Sequence, residues 1–229
     1  MSNRLSKDQL ETDALVTSYY TFTQWVKENR MTVIGGALAF FLILGGFIWY
    51  TLDSAEKERT ARDLITYSEA QFLRGNYENA LYGDDERMKP GLVEIANRFS
   101  RTSAGNIAKY YAAISYSRLG EYESALSYIR DYDVPDGVIG VGPVSLHATI
   151  LLNLGRYSDA VRMFERAAEW DINDATTPFN LLQAAEAAIE DGNHSRARSL
   201  TQRIIDEYPD SSVAPNAKRL NGRLSVTAN

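Results

Sequence analysis

Leu119-Gly120-Glu121-Tyr122-Glu123-Ser124-Ala125-Leu126 has three counterparts along this chain. They are Arg74-Gly75-Asn76-Tyr77-Glu78-Asn79-Ala80-Leu81, Leu154-Gly155-Arg156-Tyr157-Ser158-Asp159-Ala160-Val161 and Asp191-Gly192-Asn193-His194-Ser195-Arg196-Ala197-Arg198. The glycines are 45, 35 and 37 residues apart. A period of about 34 residues with insertions marks a stacked helical repeat. The residue types explain the unit. Glycine ends a helix where the backbone must turn left-handed. The aromatic two residues later packs between helices, and the alanine three further on lets the paired helices approach closely.

Supporting positions agree with that register. Seven residues before the glycines at 120, 155 and 192 stand Ala113, Ala148 and Ala185, all small. Phe164 and Ala167 fall on the second helix of the third unit, and Tyr208-Pro209 stops the fourth, since proline excludes helix from the residue before it. Two positions depart: His194 stands in place of the packing tyrosine, and Thr201 where a large apolar residue is usual. Gly-x-Tyr-x-x-Ala at this spacing resembles the tetratricopeptide repeat. The fold expected is all-α: an N-terminal transmembrane helix followed by a solenoid of about four helix pairs, each burying its apolar face against its neighbours. The segment GDDERMKPG makes the second helix of the first unit irregular. DYDVPDGVIGVGP, residues 131–143, reads as a loop because of its proline and glycines.

Ahead of the repeats lies MTVIGGALAFFLILGGFIWYTL, residues 31–52, without a charge. At about 1.5 Å per residue these 22 residues cross a hydrocarbon core of ~30 Å. The run is apolar on all faces, which suits lipid better than a soluble core. Trp25, Trp49 and Tyr50 place aromatic rings near both ends. A cleaved signal peptide has a shorter apolar region and a small-x-small site, so the run reads as an uncleaved signal-anchor. Arg30 on one edge and Asp53 on the other favour an N-terminus inside the cell. The expected domains are a juxtamembrane helix over 1–30, the anchor over 31–52, the repeat domain over 53–224 and a tail over 225–229.

Residues 5–30 carry an amphipathic stripe of Leu15, Tyr19, Phe22 and Val26. The segment either lies at the membrane interface or docks a partner. The first 52 residues hold four basic and four acidic side chains, so the whole net charge of −6 falls on residues from Asp53 onward. An acidic repeat domain argues against nucleic acid, which needs a basic face. The chain has no cysteine, which excludes disulfides and thiolate chemistry. His147 and His194 are its two histidines, both at repeat positions that read as structural. No catalytic, phosphate-binding or dinucleotide motif occurs, and no cofactor or metal site is expected.

Leu15-Val16-Thr17-Ser18-Tyr19-Tyr20, Lys27-Glu28-Asn29-Arg30, the apolar run and the repeats together resemble the ancillary Sec translocon subunit (YfgM-like) proteins of bacterial inner membranes. Residues 102–111 and 208–211 belong to the same resemblance. It implies a single-pass inner-membrane protein with a cytoplasmic N-terminus and a periplasmic repeat domain. It also implies protein partners: the Sec translocon, a periplasmic chaperone and their clients. A non-catalytic adaptor is therefore expected, with a structural scaffold for cell-wall or cell-division assembly as the alternative. In the repeat family the first helix of each pair lines a concave groove. Alignment on the glycines then places Tyr110, Ile114 and Arg118 there from the second unit. The third contributes Thr149, Leu152 and Asn153, and the fourth Phe179, Leu182, Glu186 and Glu190.

Overall fold

The computed structural model describes residues 7–226, with side chains from 16 to 225. Two compact units divide between Glu56 and Lys57. In the first, α1 spans Lys7–Glu28 and α2 begins at Arg30. Only Asn29 separates them, and the ladder carries on through Asn29 N–H to the Trp25 carbonyl (2.9 Å) and Val33 N–H to the Asn29 carbonyl (3.0 Å). Tyr19 and Phe22 of the expected stripe are exposed and Val26 is half-buried. Leu15 lies outside the described side chains. The apolar part of α2 has a mean hydropathy of 2.3 over its best window, none of it buried. By length and composition this helix is able to cross a membrane.

α2 spans Arg30–Leu73, so its last turns belong to the second unit. There Ala61, Ile65 and Ser68 are buried, a spacing of four and three residues that defines one helix face. These turns are the first helix of the first repeat. Ser68 stands seven residues before Gly75, in the small-residue position that Ala113, Ala148 and Ala185 occupy in the other repeats. Its hydroxyl donates to the Pro90 carbonyl at 2.7 Å.

The second helix of the first repeat is interrupted, as its sequence suggests. α3 (Tyr77–Tyr82) leads into a minimal antiparallel pair, β1 (Gly83–Asp84) with β2 (Lys89–Pro90), and α4 (Leu92–Arg98) resumes the helix. The remaining repeats are regular: α5 (Ser103–Arg118) with α6 (Tyr122–Arg130), α7 (Val138–Asn153) with α8 (Tyr157–Trp170), and α9 (Thr177–Glu190) with α10 (His194–Glu207). From α3 to α10 each helix packs on its sequence neighbours, the one-dimensional arrangement of a solenoid. α11 (Ala214–Val226) follows the four pairs and covers α10 with Ala217 and Leu224. The helix runs to Val226, and residues 227–229 of the expected tail lie outside the described residues.

The repeat register is visible in the backbone and the core. Gly75, Gly120, Gly155 and Gly192 all have left-handed φ, between 70° and 80°. Ala80, Ala125, Ala160 and Ala197 are fully buried, as are Ala113, Ala148 and Ala185. Phe164 and Ala167 are core residues too. Tyr77, Tyr122 and Tyr157 are half-buried, whereas His194 is exposed and the fourth repeat lacks that aromatic contact. Thr201 is buried and donates its hydroxyl to the Ala197 and Arg198 carbonyls, both at 3.0 Å, so its polar atom costs little.

One expectation is corrected. The segment 131–143 is a loop only to Gly137, and Val138–Pro143 forms the first turns of α7. Tertiary packing outweighs the local signal of proline and glycine. A Cβ on Gly140 would stand 2.1 Å from the Pro135 carbonyl oxygen and 2.3 Å from Trp170 Nε1. Glycine thus lets this first turn close against the loop and α8, while Val141, Pro143 and Val144 are buried.

Candidate partner-binding surface

The first helices of successive repeats are side by side. The Tyr110 hydroxyl of α5 would lie 3.6 Å from a Cβ on Gly142 of α7. Ser145 of α7 donates its hydroxyl to Asn180 Oδ1 of α9 at 2.6 Å. α5 begins at a cap: Thr102 Oγ1 accepts from Gly105 N–H at 2.9 Å and donates to the Phe99 carbonyl at 2.8 Å. This cap fixes the register from which Tyr110, Ile114 and Arg118 project.

Of the ten groove positions read from the repeats, five are exposed: Arg118, Asn153, Phe179, Glu186 and Glu190. Asn153 donates its side-chain amide to the Thr149 carbonyl at 2.8 Å, and Glu186 accepts from Gln183 at 3.2 Å. Phe179 is 49% exposed, a large apolar ring open to contact. Tyr110, Ile114, Thr149 and Leu152 are half-buried. Leu182 is only 5% exposed and belongs to the core, so it leaves the accessible set. α9 packs against both α8 and α10, which covers that side of the helix.

Tyr110 is committed to packing more than the alignment suggested. It stacks on Tyr132 at 5.1 Å and adjoins Tyr111, which stacks on Phe72 of α2 at 4.5 Å. This row of rings ties the first repeat to the second and to the loop after α6. Burial, followed by Tyr132 and Tyr111, raises the Tyr110 pKa above 10.0, so its hydroxyl stays protonated and available as a donor. The stacking partner lies in a loop with no repeat period, and no sequence signal pointed to it.

His147 is half-buried on α7 beside Arg130 and Arg166, in a cleft that the sequence reading did not single out. Arg130 lies in the last turn of α6, where a cation is ordinary, and Arg166 lies on α8 ahead of its last turn. Among the described residues no group of three His, Asp or Glu side chains is placed to hold a metal ion.

No curated protein matches this chain closely enough to count as a relative. Residues 180–211 match the family model of the tetratricopeptide repeat. The matched stretch begins in α9, takes in α10 and closes at Ser211, and so coincides with the fourth glycine unit. The chain therefore contains a tetratricopeptide repeat at residues 180–211, a repeat type that in general mediates protein–protein interaction.

Proposed function

We propose that this protein is a non-catalytic adaptor, anchored in the bacterial inner membrane by residues 31–52, that presents its repeats to protein partners. The observation that carries the reading is the joining of two parts in one chain. The apolar window of α2, none of it buried, suits a lipid environment. The repeat solenoid that follows exposes Phe179 with Arg118, Asn153, Glu186 and Glu190. An aromatic anchor among a few charged groups is a usual make-up for protein contacts.

The partners proposed are the Sec translocon and a periplasmic chaperone with its clients, on the strength of the resemblance carried by residues 15–30, 102–111 and 208–211. Crosslinking in intact membranes, followed by identification of the neighbours, tests this. Translocon and chaperone subunits are the expected products; recovery of cell-wall or division proteins instead would turn the reading to an envelope scaffold. The N-terminus is proposed to be cytoplasmic and the repeat domain periplasmic, from Arg30 and Asp53 at the two edges of the run. Protease added to spheroplasts then degrades the repeats and spares residues 1–30. A fully protected repeat domain would reverse the topology.

A further inference from the structure

The loop after α6, together with α7 and α8, forms a cleft of about 310 Å³. Arg130, His147, Arg166 and Trp170 line it, over apolar walls that include Val144 and Met163. None of the ten groove positions contributes to it.

The arginines are its distinguishing feature. On the same helix, Arg162 pairs with Asp159. The acids nearest Arg166 in sequence are occupied elsewhere: Glu165 holds Arg196 at 2.6 Å and Glu169 holds Arg203 at 3.4 Å. Among the described residues neither Arg130 nor Arg166 has a carboxylate within ion-pairing distance. Arg166 instead lies over the Trp170 ring, 5.1 Å from its centroid. Burial first, and then Arg130, Arg166 and Arg156, lower the pKa of the half-buried His147 imidazole below its ordinary value, with Asp159 opposing them. In a chain of net charge −6, this is a local concentration of positive charge.

The wall of the cleft is also fixed in advance. Asn106 exchanges two hydrogen bonds with the Asp133 backbone, both 2.9 Å. Lys109 Nζ donates to the Asp131 carbonyl at 3.0 Å, and Trp170 Nε1 to the Pro135 carbonyl at 3.2 Å. A ligand entering this space meets little ordering cost. Asp133 is the one carboxylate among the lining residues.

Planar guanidinium forks match a carboxylate, and the apolar walls suit an aliphatic side chain. We propose that this cleft is a second binding site, which takes a peptide carboxylate adjoining an aliphatic residue of a protein partner. The proposal rests on the adaptor reading for the ligand being a peptide.

The test is fluorescence anisotropy with the full-length protein in detergent micelles. The probes are fluorescein-labelled Gly-Ser peptides in four forms. One ends in Leu-Glu with a free C-terminus and one in Leu-Glu amide; the others end in Leu-Gln with a free C-terminus and in Leu-Gln amide. At least one carboxylate-bearing form is expected to bind and the Leu-Gln amide not to bind. The two middle forms separate a side-chain carboxylate from a chain terminus. Arg130→Gln and Arg166→Gln should each weaken capture about tenfold or more, with unchanged helical circular dichroism. Arg166→Lys, which keeps charge but not the fork, should fall between. Arg118→Gln, on the groove, should leave the affinity as it was. Equal binding of all four forms, loss through Arg118→Gln alone, or no binding of any form overturns the cleft. Those results leave the adaptor reading to the crosslinking experiment, which does not depend on these residues.

Discussion

Ala125 and Ala160 have no exposed surface and sit where the helices of a repeat come closest. A larger side chain there has no space to enter. Ala125→Leu or Ala160→Leu should each destabilise the protein by about 1–3 kcal/mol, read as a lower melting temperature; unchanged melting in both would contradict the register. His147 yields a prediction in pH. Burial disfavours its imidazolium first, Arg130, Arg166 and Arg156 add repulsion, and Asp159 offsets part of it. Tyr132 and Asp133 complete the polar surroundings from the loop. The folded pKa is thus lower than the ordinary 6.5, and the unfolded chain binds this proton more readily. The stability carried by His147 is complete above about pH 6.5, falls as the pH drops through that value, and levels off below the folded pKa. Melting curves of the parent and His147→Gln, taken from about pH 8 to about pH 5, should converge on the acid side as the parent loses its advantage. Parallel pH profiles would show that the imidazole is not linked to folding. These buried alanines were legible in the sequence because a repeat fixes the same contact several times. The arginines around His147 were not, because they come from two helices of different repeats.

At the scale of the element, helix boundaries followed local chemistry where caps and glycines spoke alone. Thr102 starts α5 by accepting the Gly105 N–H, and the turn glycines end four first helices with positive φ. Thr102→Ala should cost roughly 1 kcal/mol, with faster amide exchange in the first turn of α5; a variant as stable as the parent would show that the cap is replaced by water. α7 is the counterexample. Pro135, Gly137, Gly140, Gly142 and Pro143 argue locally for a loop, yet the helix begins at Val138. The closeness of Gly140 to Trp170 and Pro135 shows why: here glycine serves a tight interhelical approach as well as a turn. The insertion after α3 was recognisable as an irregularity from GDDERMKPG. Its closure as a two-residue strand pair held by Ser68 depends on a helix more than twenty residues earlier, which no local pattern reveals.

For the molecule as a whole, stability should follow the linear stacking of the repeats. α8 packs between α7 and α9, whereas α11 covers α10 at the end of the stack. Helices with one neighbour open at lower free energy. Amides of α11 should therefore exchange at least about tenfold faster than those of α8; equal protection would mean that the repeats unfold as one unit. The sequence by itself determined the helical class, the repeat register, the small buried positions and the apolar run at 31–52. These rest on periodicity and composition, which are properties of the chain before it folds. Tertiary structure alone decided that Leu182 is core, that Tyr110 is spent on a stack with Tyr132, that α7 begins before Pro143, and that Arg130, His147 and Arg166 share a cleft. Each of these depends on which surfaces meet when neighbouring repeats and their connecting loop pack. The physical cause is contact between residues far apart in the chain, and a repeat pattern specifies such contacts only at the positions that it repeats.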